Sequence, residues 1–466
     1  MASLSRVWRC GLGLALLVGI CPAVRGVELA TLQAWGMEVA QEIESTLRLE
    51  RSSLYAETAN LGGGQYGGAN GRAFVWPAAT QFRVLDSLVQ IDPTTYAPEL
   101  RAFSNQLRND YWRNGGYSAV AFASDHYYDD NGHLVVSMVE AYNLTGDEVY
   151  KTRAIETYDF VLSGEDDAGG GGIYFRRGDY GSKDTVSTLQ GARAAAMLYN
   201  ATGEQQYLDD AERLMEWTNS HVQQAGGRYW QRFRLDTMQA DGVDIVNATG
   251  IGISANIELY DATGDLAYLH EAQRVAYSGV GRFFNSSTGA LNDESYWAFE
   301  MVDALNDLYL RDGNRSWRSA VHGAMEWMHD NKRDPNGHYP LFWGREGVQT
   351  ETLTEWNLNE QAAAARALLD TSVTELLPGD FNDDGVVDMA DYVVWRNNVG
   401  AHRGTLPNDT SQQVVGTTQY LAWKRNFGAT DSSAPSSLAA AAVPEPATLL
   451  LWVAAIALLT CGRRPA

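Results

Sequence analysis

Cysteine is scarce in this 466-residue chain and is confined to its two ends. The three cysteines are Cys10, Cys21 and Cys461, and all of them lie in apolar terminal segments. The long stretch between them therefore has no disulfide, no zinc–thiolate site and no cysteine nucleophile. With a hydrophobic fraction of 45%, this stretch is instead able to bury a sizeable core.

Basic residues are few relative to acidic ones. The chain has 35 Lys and Arg against 58 Asp and Glu, which gives a formal net charge of −23. A surface this acidic repels phosphate backbones and argues against nucleic acid as a partner. It suits a secreted protein with a neutral or cationic ligand, although solubility alone explains the same charge.

Signatures of nucleotide or metal chemistry are also missing from the central stretch. The glycine runs Gly62–Gly64 and Gly169–Gly172 are followed by no Lys-Ser/Thr pair, so neither is a phosphate-binding loop. The eight histidines show no close metal-ligand spacing. His126 and His133 flank a pair of acids described below. Both are positioned to orient a substrate, but a solvated or packed histidine is the default interpretation for each.

The first 26 residues have the order of parts of a secretory signal peptide. Arg6 and Arg9 precede an apolar run from Cys10 to Cys21, and small residues follow around Ala23 and Gly26. This order predicts an exported protein from which the segment is a targeting address and not part of the fold.

The C-terminal segment, residues 444–466, is a second targeting signal. Pro444-Glu445-Pro446 leads into a short apolar run, Ala447–Leu459, that Arg463 and Arg464 close. The segment resembles the PEP-CTERM sorting signals of Gram-negative bacteria. This resemblance implies an apolar anchor helix, a sorting machinery of the inner membrane as partner, and a body at the cell surface or outside the cell. A buried C-terminal helix is the alternative. A Ser/Ala/Pro-rich linker, residues 431–443, precedes the segment.

A loose repeat organises the body of the chain. Leu144-Thr145-Gly146-Asp147, Ala201-Thr202-Gly203-Glu204 and Ala262-Thr263-Gly264-Asp265 are each followed by a tyrosine three residues later, and a weaker copy surrounds Gly313. In each copy glycine supplies the left-handed end of one helix, and the acid starts the next helix at its positive end. The glycines are roughly fifty to sixty residues apart, the length of a helical hairpin with its loops.

Helical periodicity agrees with this repeat. Apolar residues recur at three- and four-residue steps in segments such as Tyr207–Trp217, and about twelve such helices occur with few strands. We therefore predict an all-α domain over residues 27–376, in which six helical hairpins close into an (α/α)6 toroid. An open solenoid is the alternative, but the long Gly- and aromatic-rich loops favour a ring with a substrate cleft.

A calcium-binding loop of the EF-hand type follows the toroid, in a small module over residues 377–430. Oxygen donors fall at loop positions one, three, five, nine and twelve, the seventh position offers a main-chain carbonyl, and Gly385 occupies position six. The predicted structural Ca²⁺ ligands are Asp380, Asn382, Asp384, Val386, Asp388 and Asp391. No cofactor is predicted for catalysis.

The module resembles a type I dockerin repeat. A second copy begins 28 residues later, where Tyr420–Gly428 echoes Tyr392–Gly400, but its loop has lost most carboxylates. We therefore expect one calcium ion and not two. The resemblance implies a cohesin-like protein as partner; a simple spacer is the alternative.

The densest group of reactive side chains is Asp125-His126-Tyr127-Tyr128-Asp129-Asp130-Asn131, at the start of an apolar helix. Helix capping alone explains acids at such a position. Glycoside hydrolysis, however, needs two carboxyl groups, and retaining enzymes hold them roughly 5 Å apart. Neighbouring acids at a helix start are able to span that distance, and their repulsion raises one pKa as an acid catalyst requires. Asp129 and Asp130 are therefore the candidate catalytic residues.

Several motifs over residues 50–370 resemble glycoside hydrolase family 76, the endo-α-1,6-mannanases. They are Tyr127-Tyr128-Asp129-Asp130-Asn131, Ala141–Asp147, Gly169–Phe175, Leu198–Gly203 and Asn247–Gly264. The resemblance implies an (α/α)6 toroid that hydrolyses mannan-like polysaccharide with retention. By position, Asp129 is implied as nucleophile and Asp130 as general acid/base, and Asn131 and Asn247 as substrate-binding residues.

The sequence also departs from the family pattern. Gly132-His133 follow the acid pair where the family has Ala or Glu and then Trp, and Asp184 and Thr188 stand where the family tends to have Asn. Val246-Asn247-Ala248-Thr249-Gly250 replaces Tyr-Asn-Gln-Gly, and the Phe-Lys-Gly segment has no counterpart near Glu300. These changes affect the expected sugar subsites more than the hydrolytic chemistry.

Aromatic residues are plentiful, with 14 Trp and 23 Tyr. Pyranose rings stack on aromatic faces, so sugar clefts are rich in them. The aromatic candidates for substrate binding, all near predicted inter-helix loops, are Trp76, Tyr128, Trp230, Trp297 and Trp343. Core packing is the competing interpretation for each.

Two other functions fit parts of the sequence. One is another toroid sugar enzyme, such as an unsaturated glucuronyl hydrolase or an epimerase. The other is a catalytically silent glycan-binding protein at the cell surface, which the altered subsite residues and the dockerin-like module favour. The acid pair and its surrounding motifs favour the glycosidase.

Overall fold

The computed structural model describes residues 27–344, 351–374, 376–382, 384–401, 405–409 and 414–430. The signal peptide (1–26), the linker (431–443) and the sorting segment (444–466) lie outside the described residues, and their assignments stay predictions. Within the described part, no helix is both long and apolar enough to cross a lipid bilayer. The chain divides into two compact units, and the first ends at Thr374.

Twelve α-helices lie in the described part of the first unit. They are α1 (Leu29–Thr46), α2 (Val75–Ile91), α3 (Pro93–Tyr111), α4 (Tyr128–Thr145), α5 (Glu148–Leu162), α6 (Thr185–Thr202), α7 (Gln205–His221), α8 (Val246–Thr263), α9 (Leu266–Phe283), α10 (Ser295–Asp312), α11 (Arg315–Lys332) and α12 (Leu358–Val373). Their number and order agree with the helical hairpins that the repeat predicts.

The repeated glycines end helices as expected. Gly146, Gly203, Gly264 and Gly313 follow α4, α6, α8 and α10 and have φ values from 65° to 72°, a region that favours glycine. The next helix then begins at once. Asp147, for example, accepts a hydrogen bond from the backbone N–H of Val149 at the start of α5.

The even-numbered helices form a closed inner ring. Each packs against the next, from α2 through α4, α6, α8 and α10 to α12, and α12 packs against α2. The odd-numbered helices lie outside; α7, α9 and α11 bury one face, whereas α6 and α8 are buried along nearly their whole length. This arrangement is the predicted (α/α)6 toroid.

Short antiparallel strands stand in the loops that lead into inner helices. They are β1 (Thr58–Asn60), β2 (Gln65–Tyr66), β3 (Trp112–Arg113), β4 (Gly116–Tyr117), β5 (Tyr174–Arg176), β6 (Asp179–Asp184), β7 (Arg232–Arg234), β8 (Gln239–Asp241) and β9 (Glu355–Asn357). Three sheets result, with strand orders β2-β1-β9, β3-β4 and β5-β6-β7-β8. In the largest sheet Lys183 pairs with Phe233, so the loop before α6 is tied to the loop before α8.

The described residues of the second unit include two short helices, α13 (Met389–Asn397) and α14 (Thr417–Asn426). Phe381, Leu406 and Val415 form its buried core. Indole N–H groups add to this packing: Trp395 donates to the carbonyl of Gly416 (2.8 Å) and Trp423 to that of Asp388 (2.6 Å).

Candidate active site

A cavity of about 600 Å³ opens in the first unit. Its wall consists of residues from the starts of all six inner helices and from the loops before them. The lining residues are Glu57, Phe74, Trp76, Pro77, Ala119, Val120, Asp125, Tyr127, Asp129, Asp130, His133, Phe175, Asp184, Val186, Gln231, Ile245, Asn247, Tyr296, Trp297, Leu341, Asn357, Asn359 and Glu360. The volume is in the range of small-ligand and substrate sites.

The cavity wall combines six helix N-termini with six carboxylates. The acids are Glu57, Asp125, Asp129, Asp130, Asp184 and Glu360. Of the described lining residues, none is Lys or Arg. Arg176, which is not among the lining residues, pairs with Asp125 through two hydrogen bonds (2.8 and 3.0 Å), and the positive ends of the inner-helix dipoles add further compensation. A site of this kind tolerates a neutral or positively polarised ligand better than an anion.

Asp129 and Asp130 lie in the first turn of α4 and are partly buried. Burial raises the pKa of Asp130 to about 7, and the nearby charge of Asp125 adds to this effect. Burial also raises the pKa of Asp129 well above its ordinary value, with added repulsion from Asp130 and Asp184. Asp129 Oδ1 is buried and has no hydrogen-bond partner among the described residues. The two acids therefore share protons near neutral pH and titrate as a pair.

Asp184 is a third acid beside this pair. It caps α6 by accepting hydrogen bonds from the backbone N–H (2.8 Å) and the hydroxyl (2.9 Å) of Ser187. Burial nevertheless raises the pKa of Asp184 to about 6, because these bonds only partly offset the loss of water. Its position makes it part of the electrostatic environment of Asp129.

Glu57 and Glu360 contribute a second acidic patch to the cavity wall. Glu57 accepts a hydrogen bond from the backbone N–H of Phe74 (2.7 Å), and Glu360 lies in the first turn of α12. Burial raises the pKa of both carboxyls, that of Glu360 to about 7. Both groups therefore bind protons more readily than an exposed glutamate.

Aromatic rings form much of the remaining wall. Trp76 contacts Tyr296 edge-on at 4.9 Å between ring centroids, and Tyr296 contacts Trp297 at 5.4 Å. Tyr127 meets Phe175, from the β5–β6 hairpin, at 5.0 Å. Such rings offer the flat apolar faces on which sugar C–H groups stack.

A network of buried charges includes one residue of the cavity wall, His133. The Nδ1 atom of His133 lies 3.2 Å from Oε1 of Glu300, which is fully buried on α10. Oε2 of Glu300 accepts from Arg83 (3.2 Å) and Arg193 (3.3 Å). Burial acts to raise the pKa of Glu300, but the charges of Arg83, His133 and Arg193 outweigh it and hold the pKa below its ordinary value. Glu300 is therefore an anion at all ordinary pH values.

Of the residues predicted from sequence, five line the cavity. These are Asp129, Asp130, Trp76, Asn247 and Trp297. They come from the starts of α2, α4, α8 and α10, which are distant in sequence and adjacent only in the closed ring. Their roles in binding or catalysis stay predictions, but the ring brings all five to one cavity.

Four predicted substrate-binding residues do not line the cavity, and we correct their assignment. Tyr128 is buried and stacks on Phe160 at 5.0 Å between ring centroids. Asn131 is fully buried, and its amide is used in internal hydrogen bonds. The amide oxygen accepts from the backbone N–H of Tyr117 (2.8 Å), and the amide nitrogen donates to the carbonyls of Tyr117 (3.0 Å) and Tyr127 (2.7 Å).

The two tryptophans of this group lie elsewhere. Trp343 is 1% exposed, so its ring belongs to the packed interior. Trp230 is 38% exposed but outside the cavity wall, and its carbonyl accepts a hydrogen bond from the Thr185 hydroxyl (2.6 Å).

The lining residues that were not predicted as site residues include Asp184, His133 and Glu360. Each stands at or near a helix start, and that position was the available signal. Asp184 follows a strand and caps a helix, His133 follows Asp129 by four residues, and Glu360 follows a capping asparagine. Acids and histidines near helix starts are common in proteins. Only the closed ring, which brings these positions to one cavity, separates these three residues from similar ones elsewhere in the chain.

The predicted calcium loop in the second unit has the expected turn but uses its carboxylates internally. Gly385 has φ +80°, and Asp380 accepts from the backbone N–H of Asp384 (3.1 Å) and Gly385 (2.9 Å). Asp391 accepts from the backbone N–H groups of Phe381, Asn382 and Asp388. In the described part of the chain, no three carboxylate or imidazole groups are gathered closely enough to hold a metal ion. Calcium binding by these residues stays a prediction.

Comparison with known proteins identifies the family. The model for glycosyl hydrolase family 76 matches residues 51–296, whereas no curated protein matches the chain. A family 76 α-mannanase of Bacteroides thetaiotaomicron superposes with a TM-score of 0.68 at 26% identity, over 73% of this chain and 95% of that one.

Two further structures share the fold at lower identity. An inactive α-1,6-mannanase variant of Salegentibacter sp. HEL1_6, with two consecutive aspartates changed to asparagine and α-1,6-mannotriose bound, has a TM-score of 0.63 at 19% identity over 74% of this chain and all of that one. A cellobiose 2-epimerase of Spirochaeta thermophila has a TM-score of 0.56 at 14% identity, over 74% of this chain and 97% of that one. Because the family model covers more than half of the sequence, this chain belongs to glycosyl hydrolase family 76.

Proposed function

We propose that this protein is a retaining glycosidase that cleaves α-1,6-mannan-like polysaccharide, with Asp129 as nucleophile and Asp130 as general acid/base. The observation that carries the proposal is the presence of two adjacent, partly buried carboxyls in the wall of one aromatic-lined cavity. Two carboxyls with separate roles are what glycoside hydrolysis requires. The inactive mannanase of Salegentibacter, in which two consecutive aspartates are replaced, supports the same pair.

The protonation of the pair constrains this mechanism. The nucleophile has to be ionised and the acid protonated when the bond to the leaving oxygen breaks. In the free protein, burial and neighbouring acids raise the pKa of both carboxyls, so the pair shares a proton near neutral pH. The shared proton therefore has to lie on Asp130 once the sugar is bound. Positive charge that develops at the anomeric carbon favours an ionised Asp129 and makes this placement favourable.

The charge of the cavity wall supports a neutral glycan as substrate. Six carboxylates and no Lys or Arg occur among the described lining residues. The acids of this wall disfavour the carboxylate of a uronic acid, and no lysine or arginine among the described lining residues offsets that repulsion. The alternative of an unsaturated glucuronyl hydrolase therefore lacks a cationic partner for its substrate in this wall.

Azide rescue tests both the activity and the two roles. The substrate is an aryl α-1,6-mannobioside whose phenolate leaving group departs without protonation. For Asp130→Ala we expect slow turnover that azide accelerates, with a mannosyl azide of retained α configuration, because the glycosyl-enzyme still forms. For Asp129→Ala we expect no covalent intermediate, and azide gives the inverted β product.

Three other outcomes are informative in this assay. The opposite pattern of products assigns the nucleophile to Asp130. Wild-type rates in both variants remove the pair from catalysis. Binding of α-mannan by the wild type without any cleavage identifies a silent glycan-binding protein.

A further inference from the structure

The side chain of His133 has a buried anchor and a free end. Its residue is only 6% exposed, and the Nδ1 atom lies 3.2 Å from Glu300 and 2.8 Å from the side-chain amide of Gln190. The ring lines the cavity, and Nε2 has no hydrogen-bond partner among the described residues. Nε2 is therefore available to a polar group of a ligand in the cavity.

The position of His133 on α4 relates it to the acid pair. His133 follows Asp129 by four residues and Asp130 by three, so all three side chains lie on one face of the helix. One helical turn, about 5.4 Å, separates the histidine from Asp129 along the axis. A sugar whose anomeric carbon faces the acids therefore extends toward the imidazole.

Glu300 is held as a permanent anion behind the imidazole. Arg83 and Arg193, both 1% exposed, contact the carboxylate atom that does not face His133. The side-chain amide nitrogen of Gln190 lies 2.8 Å from Nδ1 and Glu300 lies 3.2 Å from the same atom, so both residues hold the Nδ1 edge of the ring. This orients the ring and leaves Nε2 directed at the ligand, as a carboxylate behind a histidine does in other sites.

We propose that His133 binds a hydroxyl group of the sugar seated at Asp129 and Asp130 through Nε2, and that Glu300 is the positioning residue that orients it. The proposal rests on the glycosidase function proposed above. A hydroxyl both donates and accepts, so it suits Nε2 in either protonation state of the ring. The contact selects sugars that have a hydroxyl at that ring position and disfavours the corresponding deoxy sugar.

Two isosteric variants separate the substrate contact from the anchor. His133→Asn places an amide near the position of Nδ1 and lacks the Nε2 end, whereas His133→Gln reaches the position of Nε2 and lacks the Nδ1 end. We expect His133→Asn to keep the fold and to lose roughly tenfold to hundredfold in kcat/KM on an aryl α-1,6-mannobioside. His133→Gln should recover part of that loss. The control is His322→Asn, a buried histidine on the outer helix α11 that does not line the cavity, which should keep the wild-type rate.

Deoxygenated substrates identify the contact. Each hydroxyl of the mannose next to the leaving group is removed in turn, and kcat/KM is measured with the wild type and with His133→Asn. One deoxy position should lower the wild-type rate at least tenfold but leave the His133→Asn rate nearly unchanged, because the partner is already absent. Equal penalties in the two proteins at every position would overturn the proposal, as would wild-type activity in a folded His133→Asn.

The role of Glu300 is tested by combination. Glu300→Gln keeps an acceptor for Nδ1 but loses the charge, and it should lower kcat/KM without further loss when His133→Asn is added. If Glu300→Gln fails to fold, Gln190→Leu perturbs the same nitrogen and takes its place. Additive losses would remove the positioning role. If Asp129→Asn and Asp130→Asn lose activity but His133→Asn keeps the wild-type rate, the role of His133 is rejected and the glycosidase function stands. If the wild type cleaves no α-mannoside, the proposed function itself is rejected.

Discussion

Replacing Asp130 by asparagine is expected to stabilise the protein at alkaline pH while it removes activity. The pKa of Asp130 is about 7 in the folded protein and about 3.8 in the unfolded chain. Because the folded-state pKa is the higher one, the folded protein binds this proton more tightly. The contribution of Asp130 to stability is therefore most favourable below pH 4, worsens as the pH rises through about 7, and is constant above that.

The size of the effect follows from the shift. A shift of about three pKa units corresponds to about 4 kcal/mol at 1.36 kcal/mol per unit. Asp130 reaches water through the cavity, so we halve this figure to about 2 kcal/mol at pH 8. Asparagine has no charge to desolvate and recovers this energy at pH 8. At pH 5, only about one pH unit above the unfolded-state pKa, the recovered energy is less than half as large. For a domain of this size, 2 kcal/mol raises Tm by about 3 °C.

The assay is thermal and urea unfolding of the purified full chain at pH 5 and pH 8. The control is Asp236→Asn, because a hydrogen bond from Arg234 lowers the pKa of this exposed carboxyl. That variant should show no gain in stability at pH 8. A loss of stability in Asp130→Asn at pH 8, or an equal change at both pH values, would refute the reasoning.

Three further predictions concern charge. Asp184→Asn removes a negative charge that raises the pKa of Asp129. The acidic limb of the kcat/KM–pH profile, which reports ionisation of the nucleophile, should therefore move to lower pH; a shift to higher pH would contradict this. Mannans that contain uronic acid or phosphate should be cleaved more slowly than neutral mannan. Added salt, or a Glu57→Gln, Glu360→Gln double variant, should reduce this difference in rate. Equal rates at low salt would reject the selectivity. Calcium should raise the unfolding temperature of the module of residues 377–430 in the wild type but not in Asp380→Asn. Unfolding of the module is followed by tryptophan fluorescence. Identical melting curves of the wild type with calcium and with chelator would reject the predicted site.

The ring architecture follows from signals that are local in sequence. Each repeated glycine ends a helix in the left-handed conformation, and the next helix begins within two or three residues. Such signals depend on a few neighbouring residues and so survive without knowledge of the rest of the fold. The same holds for the acid pair, whose place in the first turn of α4 follows from the apolar helix behind it.

The composition of the cavity wall was harder to predict, because it depends on which faces the closed ring leaves open. Trp343 and Trp76 both follow loop-like sequence, yet one is buried and the other lines the cavity. Asn131 follows the acid pair in sequence, but its amide is hydrogen-bonded to the backbone of Tyr117 and does not line the cavity. Glu360 reaches the site only because α12 closes against α2. Contacts of this kind join residues far apart in sequence and leave no local pattern.

The toroid explains how this site holds so many acids in a folded protein. Six carboxylates in one cavity repel one another, and the described lining residues include no Lys or Arg to offset them. The same ring, however, directs the N-termini of all six inner helices at the cavity, and each contributes partial positive charge. Fixed dipoles compensate the acids without occupying the space that a sugar needs. A lysine or arginine paired with Asp130 would lower the pKa that suits an acid catalyst, whereas burial beside Asp125 keeps that pKa at about 7.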